Sequence, residues 1–238
     1  MKRLKTGIGK LDGLLGGGLD RGRVTLLIGE TGVGKTTLLM AIARNVNKRV
    51  AYIDCEGNPI ELLGDHVMAS EARAMDELIS ALEALSKLSV NPSLLIVDGL
   101  TYHYHVEIRL AESDGDRDRA QRRIERAAFK LQEIAWRMDA PVIASTWPTA
   151  IEEGVVGGFA VKAYSRIHLR MRWGGSDKTR ILEVAKHQDP KISGRRVEIG
   201  LEELRQEGGE GEVLVNPADR RGGSPPAAEG GVGGGGGS

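Results

Sequence analysis

The chain has 238 residues, 40% of them hydrophobic and 28% charged, enough to bury one substantial core and form one domain or a small pair. Its 33 basic residues balance its 33 acidic ones, so bulk charge selects no polyanion partner and local charge must carry any such argument. The lone Cys55 excludes an internal disulfide, no basic-apolar-small pattern marks a signal peptide, and no apolar run approaches the roughly 18 residues that span a bilayer, which predicts a soluble, cytoplasmic protein without a membrane partner.

The first stretch with structure-forming character is Thr6 to Asp20. It offers a short amphipathic turn (Leu11, Leu14, Leu15) and a glycine turn at Gly16 to Gly18, a tight lead-in to the first core strand. The apolar run Val24 to Ile28 then meets the spacing G-x-x-x-x-G-K-[ST], written here as Gly29, Glu30, Thr31, Gly32, Val33, Gly34, Lys35, Thr36, and a helix follows from Lys35 through Thr37 to Asn45. Strand, phosphate loop and helix occur in that order. Gly29, Gly32 and Gly34 let the backbone curl around a phosphate and aim N–H groups at it, and the helix adds its positive dipole end. Lys35 can reach the β/γ-phosphates of ATP, and the Thr36 hydroxyl can ligate Mg²⁺. Gly29 to Thr37 is thus the candidate nucleotide-binding segment.

Val50 to Ile53 reads as a buried parallel strand. Asp54 and Glu56 follow at its carboxyl end, where open α/β sheets place ligand-binding groups. A carboxylate there can polarise an attacking water or sit in a solvated loop, and position alone leaves both open. Pro59 to Leu88 reads as two helices, the second from about Ser70, with Met75, Leu78, Ile79, Leu82, Leu85 and Leu88 at core spacing. Asn91-Pro92 ends it, and Ser93 to Asp98 forms an apolar strand closed by a carboxylate. Behind a phosphate loop, Asp98 is a candidate support for Mg²⁺, directly or through water.

His103 and His105 have no ligand cluster around them and read as loop or packing residues. Polar residues lie between Arg109 and Asp118, and a helix with Arg117, Arg119, Arg122, Arg123 and Arg126 runs on to about Met138. Interleaved Asp116, Asp118 and Glu125 favour a solvated helix face there over direct DNA contact. Pro141 to Thr146 is another buried strand, ending in Trp147-Pro148. Two alternating strands, Arg166 to Arg172 and Lys178 to Ala185, come next. Residues 162 to 196 hold ten Lys/Arg against three Asp/Glu, which suits a polyanion surface or a charge-protected sheet edge. Beyond about Leu204 glycine dominates, dividing the chain into a core at 1–204 and a Gly-rich flexible tail at 205–238.

With its phosphate loop, TGIGKLDGLLGGGLDRGRVTLLIGETGVGKT resembles the start of the RecA/RadA recombinase core and of its KaiC-like cousins, and DGLTYHYHVE is similar to the archaeal RadA and RadB pattern. The resemblance spans about residues 4 to 204. It implies an α/β, RecA-like P-loop NTPase core: a mostly parallel central sheet flanked by helices, with a C-terminal antiparallel extension. It also implies that Glu56, in YIDCEG, is the catalytic glutamate. The stretch between Arg109 and Asp118 falls at the family's first DNA-binding loop, and Thr149 to Lys162 at its second. Lys186-His187 lies where RadB-like and KaiC-like proteins present basic residues in trans to nucleotide on a neighbouring subunit, whereas RadA has an acidic, proline-containing cap there; the partial match makes Lys186 a candidate contact in trans and a homo-oligomer a candidate assembly. Recombinases carry Asn and Gln where this chain has Thr146 and Trp147. That Gln contacts the γ-phosphate, whereas an indole accepts no hydrogen bond, so ATP-gated DNA binding is in question.

The resembling segment begins without the N-terminal helical domain and linker phenylalanine of full recombinases, as in an accessory paralogue such as archaeal RadB. The function this implies is a slow, Mg-dependent ATPase accessory to DNA recombination and repair, binding single- or double-stranded DNA, a RadA-type recombinase, or both. The alternatives are a KaiC-like regulatory ATPase acting on a protein partner without nucleic acid, and a nucleotide-binding adaptor in which Trp147 has disabled hydrolysis.

Overall fold

A computed structural model describes residues 2–88, 91–149 and 154–206. The lead-in forms β1 (Arg3–Leu4), α1 (Gly9–Leu14) and β2 (Leu19–Asp20), with β1 and β2 pairing antiparallel beside the main sheet. The first apolar run becomes β3 (Val24–Gly29), α2 (Lys35–Asn45) follows the phosphate loop, and β4 (Val50–Asp54) succeeds it. After β5 (Val67–Glu71) come α3 (Met75–Leu85), β6 (Leu94–Asp98), α4 (Tyr102–Leu110), α5 (Asp114–Met138) and β7 (Val142–Thr146). The chain continues through α6 (Gly158–Tyr164), β8 (Ile167–Trp173), β9 (Thr179–Lys186), β10 (Arg196–Gly200) and α7 (Leu201–Gln206).

The eight strands of the main sheet lie in the order β10-β9-β8-β3-β7-β6-β4-β5. All pairs from β8 to β5 are parallel, while β9 and β10 add an antiparallel edge. Strands β3, β4, β6 and β7 are buried along their whole length because helices cover both faces, which is why they read as unbroken apolar runs. Side chains alternate between two cores. Leu27 and Tyr52 pack with Leu38, Leu39 and Ile42 of α2 on one face. Leu26, Ile28, Ala51 and Ile53 pack with α3 and α5 on the other. This is the expected α/β sheet with its antiparallel C-terminal extension.

The region 59–88 departs from the two helices anticipated there. A single 3₁₀ turn at Ile60–Leu62 leads to edge strand β5, and α3 starts only at Met75. The backbone of β5 pairs with β4 from Val50↔Val67 to Asp54↔Glu71, yet four of its five side chains are exposed, so no apolar alternation announced it. Leu88, expected in the core, is 40% exposed. His103 and His105 belong to helix α4 and not to a loop. The polar stretch after Leu110 is short because Ser113 and Asp116 form a reciprocal cap that starts α5. α7 crosses the expected boundary at 204, and the glycine-rich remainder, 207–238, lies outside the described residues. Among the described residues no helix is long and apolar enough to cross a membrane.

Candidate nucleotide site

The phosphate loop leaves the carboxyl end of β3 and closes at Gly34, whose φ of 96° is a left-handed conformation that an L side chain resists. Lys35 opens α2 and folds back over the loop, its Nζ donating to the carbonyls of Gly29 (3.0 Å) and Glu30 (2.9 Å). Burial pushes its pKa down, while the carboxylates of Glu56 and Asp98 hold it up. An ammonium held on two carbonyls can exchange them for phosphate oxygens without reorganising the loop.

Sheet register supplies the acids. β4 and β6 are neighbours with Asp54 opposite Asp98, so both strands end in a carboxylate at the same height beside the loop. The two carboxylates do different work. Asp54 accepts from the backbone N–H groups of Gly57 (2.6 Å) and Asn58 (2.7 Å) and from Asn58 Nδ2 (2.6 Å). It therefore shapes the turn that carries Glu56, and with its oxygens occupied it has little capacity left for a water.

Asp98 is fully buried and accepts from Ser145 Oγ (2.6 Å), Tyr52 Oη (3.0 Å) and the Thr36 hydroxyl. Burial raises its pKa, the Ser145 and Thr36 hydrogen bonds oppose that, and Asp54 adds to it. Glu56 lies over Gly99, where an added Cβ would stand 2.6 Å from Glu56 Cγ. Burial first, then Asp98, pushes the Glu56 carboxyl up to about 7, with Lys35 pulling it down. Lys35, Thr36, Glu56 and Asp98 thus meet at one point.

Two carboxylates, Glu56 and Asp98, act on the one ammonium, and the Thr36 hydroxyl beside Asp98 is the donor set Mg²⁺ takes when phosphates and waters supply the rest. Among the described residues no group of three or more His, Cys, Asp or Glu forms a metal cage.

At the end of β7, Thr146 Oγ1 pairs with Thr101 Oγ1 at 2.9 Å. Trp147 turns its ring toward Tyr102 (5.9 Å between centroids) and His105 (5.4 Å) in edge contacts. Residues 150–153 of the second-loop segment lie outside the described residues. His103 packs inward, its Nε2 2.6 Å from the Ala72 carbonyl.

The arginine series serves the fold at three positions. Arg123 bridges Asp76 and Glu107, Arg126 pairs with Glu83 at 2.6 Å, and Arg119 lies 3.8 Å from Asp116. Lys186 lies elsewhere, opposite His168, which itself pairs with Leu26 of β3, so it sits toward the amino ends of the parallel strands, two strands from β3. Lys162 and Arg166 lie close enough to lower its pKa further after burial, and after burial Lys186, Lys162 and Arg170 help bring His168 down to about 4. Its neighbour His187 is turned inward, Nε2 3.4 Å from Asp20 Oδ2.

Sequence reasoning missed Tyr52, Ser145 and Asn58, which hold the two aspartates, and Arg180, whose Nε donates to the Val33 carbonyl at 2.7 Å. The first two read as strand residues, and only register shows what they touch.

A phosphate loop between the middle strand and its helix, with acids on the neighbouring strand ends, defines a P-loop ATPase domain of the RecA type. The family model described as "ATPase: KaiC" matches residues 4–94. RadB of Archaeoglobus fulgidus, named a DNA repair and recombination protein, is 31% identical over 202 residues, 78% of this chain and 89% of the relative. RadB of Thermoplasma acidophilum is 30% identical over 205 residues, 79% and 87% of the two chains. RadA of Metallosphaera sedula is 29% identical over 173 residues, 61% and 52%. The chain belongs to the RadB family of the RecA/RadA superfamily.

Proposed function

We propose that the protein is a slow, Mg²⁺-dependent ATPase acting as a RadB-like accessory in DNA recombination and repair, with DNA, a RadA-type recombinase, or both as its partners. The observation that carries this reading is the meeting of Lys35, Thr36, Asp98 and a Glu56 carboxyl that titrates near neutrality. The backbone N–H groups of Gly29 to Thr37 receive the triphosphate, and Thr36 with Asp98 would hold Mg²⁺. That ion, when bound, supplies charge neutralisation across the β- and γ-phosphates. Glu56 orients a water for in-line attack on the γ-phosphorus and takes its proton, while the bond from that phosphorus to the bridging oxygen of the departing ADP breaks. Lys35 stabilises the charge developing on the phosphate oxygens. Trp147, lacking the acceptor and amide of a glutamine, fits slow turnover.

For the nucleic-acid part, support comes from the RadB relatives' names and from the cluster of Lys162, Arg166 and Lys186. Lys186 is also proposed to reach nucleotide on a neighbouring copy. A KaiC-like regulator of a protein partner is the second reading, favoured by the family model over residues 4–94.

Titration calorimetry with Mg·ATP, with Lys35→Ala as control, tests the site. Heat in the parent and none in the variant is the expected result, and no heat in the parent removes the ATPase reading. Gel shifts with single- and double-stranded DNA at two salt concentrations separate the two functions, because phosphate contacts weaken steeply with salt. No DNA binding at low salt favours the protein-partner reading.

A further inference from the structure

Behind the phosphate loop lies Arg180 of β9, only 3% exposed. Its Nε donates to the Val33 carbonyl at 2.7 Å, and its Nη1 donates to the carbonyls of Asp177 and Thr179 at 2.7 Å each. Its guanidinium carbon stands 3.9 Å from the centroid of the Trp173 ring, which is 46% exposed. Arginine keeps its charge even when buried, and its planar fork can stack and donate at once.

The bond gripped in this way is the peptide between Val33 and Gly34. It is planar and trans, so its carbonyl and its N–H point to opposite sides. Holding the carbonyl toward β9 aims the Gly34 N–H the other way, away from β9. The grip is needed because glycine resists rotation of its flanking peptides less than any other residue. A charged donor also makes a stronger hydrogen bond than a neutral one and polarises the peptide, improving its N–H as a donor.

We propose that Arg180 is a positioning residue for the phosphate site: it fixes the Gly34 N–H toward the nucleotide's phosphates and links that peptide to Trp173 at the surface. This rests on the reading of the loop as a Mg·ATP site. The effect belongs to binding. Lys35 and Glu56 are untouched, so losing Arg180 raises KM and leaves kcat nearly unchanged.

The test measures Mg·ATP affinity by calorimetry and steady-state phosphate release for the parent, Arg180→Met and Arg180→Lys. Arg180→Met is expected to weaken affinity about ten- to a hundredfold, the effect of losing one hydrogen bond to a charged group, that from the Gly34 N–H to phosphate. Arg180→Lys, which keeps a charged donor, is expected to recover most of it, a rescue that a purely packing role does not give. With Trp136 and Trp147 replaced by Phe, emission from Trp173 should change on adding Mg·ATP, and Arg180→Met should abolish that change.

If the parent binds and a folded Arg180→Met binds within about twofold of it, the inference is wrong while the ATPase reading stands. If the parent gives no heat, both fall. Should Arg180→Met not fold, Trp173→Leu, which removes the surface the guanidinium stacks on, takes its place. Severalfold weaker binding supports the proposal, and unchanged binding overturns it.

Discussion

Replacing Glu56 by Gln should separate the cost of the carboxylate from its proposed catalytic use. In the folded protein without nucleotide the carboxyl is moved from an ordinary 4.5 to about 7, chiefly by burial and then by Asp98. That penalty on the charged form is about 3 kcal/mol at roughly 1.4 kcal/mol per pH unit, trimmed to about 2 kcal/mol because one side of the group is open to solvent. A raised carboxyl is preferred protonated when folded, so the penalty is absent below about 4.5, grows as pH rises toward about 7 and is complete above that.

Glu56→Gln removes the charge and with it the penalty. The variant should melt about 4–8 °C above the parent near pH 8 and at nearly the same temperature near pH 4.5. Differential scanning calorimetry at the two pH values, without nucleotide, reads this directly. Phosphate release should fall by about a hundredfold or more, while Mg·ATP affinity stays within a few-fold. A variant whose advantage over the parent is no larger near pH 8 than near pH 4.5 would show that the carboxylate is not strained, and one that hydrolyses ATP at the parent's rate would show that it is not the base.

Gly99→Ala puts a Cβ 2.6 Å from Glu56 Cγ at a residue with φ +83°. It should cost about 1 kcal/mol in urea unfolding and lower kcat about ten- to a hundredfold by displacing the carboxylate. Ser145→Ala removes both the 2.6 Å donor to Asp98 and the acceptor of the Gly99 N–H at 2.7 Å. A loss of about 1–3 kcal/mol in urea unfolding is expected, with a severalfold higher Mg²⁺ requirement in steady-state hydrolysis. If Lys186 acts across subunits, Lys186→Ala mixed with Lys35→Ala should hydrolyse ATP roughly severalfold faster than either alone, because some interfaces then join an intact loop to an intact lysine. Equal rates before and after mixing refute the contact.

Much of the candidate nucleotide site was legible in the chain because its chemistry is local. The span Gly29 to Thr36 must combine small residues, a lysine and a hydroxyl within one turn of backbone, and β3 and α2 flank it contiguously. Strands buried on both faces advertise themselves as apolar runs, so the sheet and the carboxylates at its strand ends could be read as well. β5 could not, because an edge strand with exposed side chains owes its existence to backbone pairing with β4 and leaves no apolar pattern.

Tertiary structure alone decided which carboxylate does what. Asp54 and Glu56 are two residues apart and both carboxylates, yet the turn saturates one and leaves the other over Gly99, pressed by Asp98. It also brought Tyr52, Ser145 and Arg180 into contact with the candidate site, each through a hydrogen bond to a residue 46 or more positions away. Spacing records what a continuous stretch of backbone can do. Hydrogen bonding between distant residues depends on which strands lie side by side, and that is set by burying both faces of the whole sheet at once.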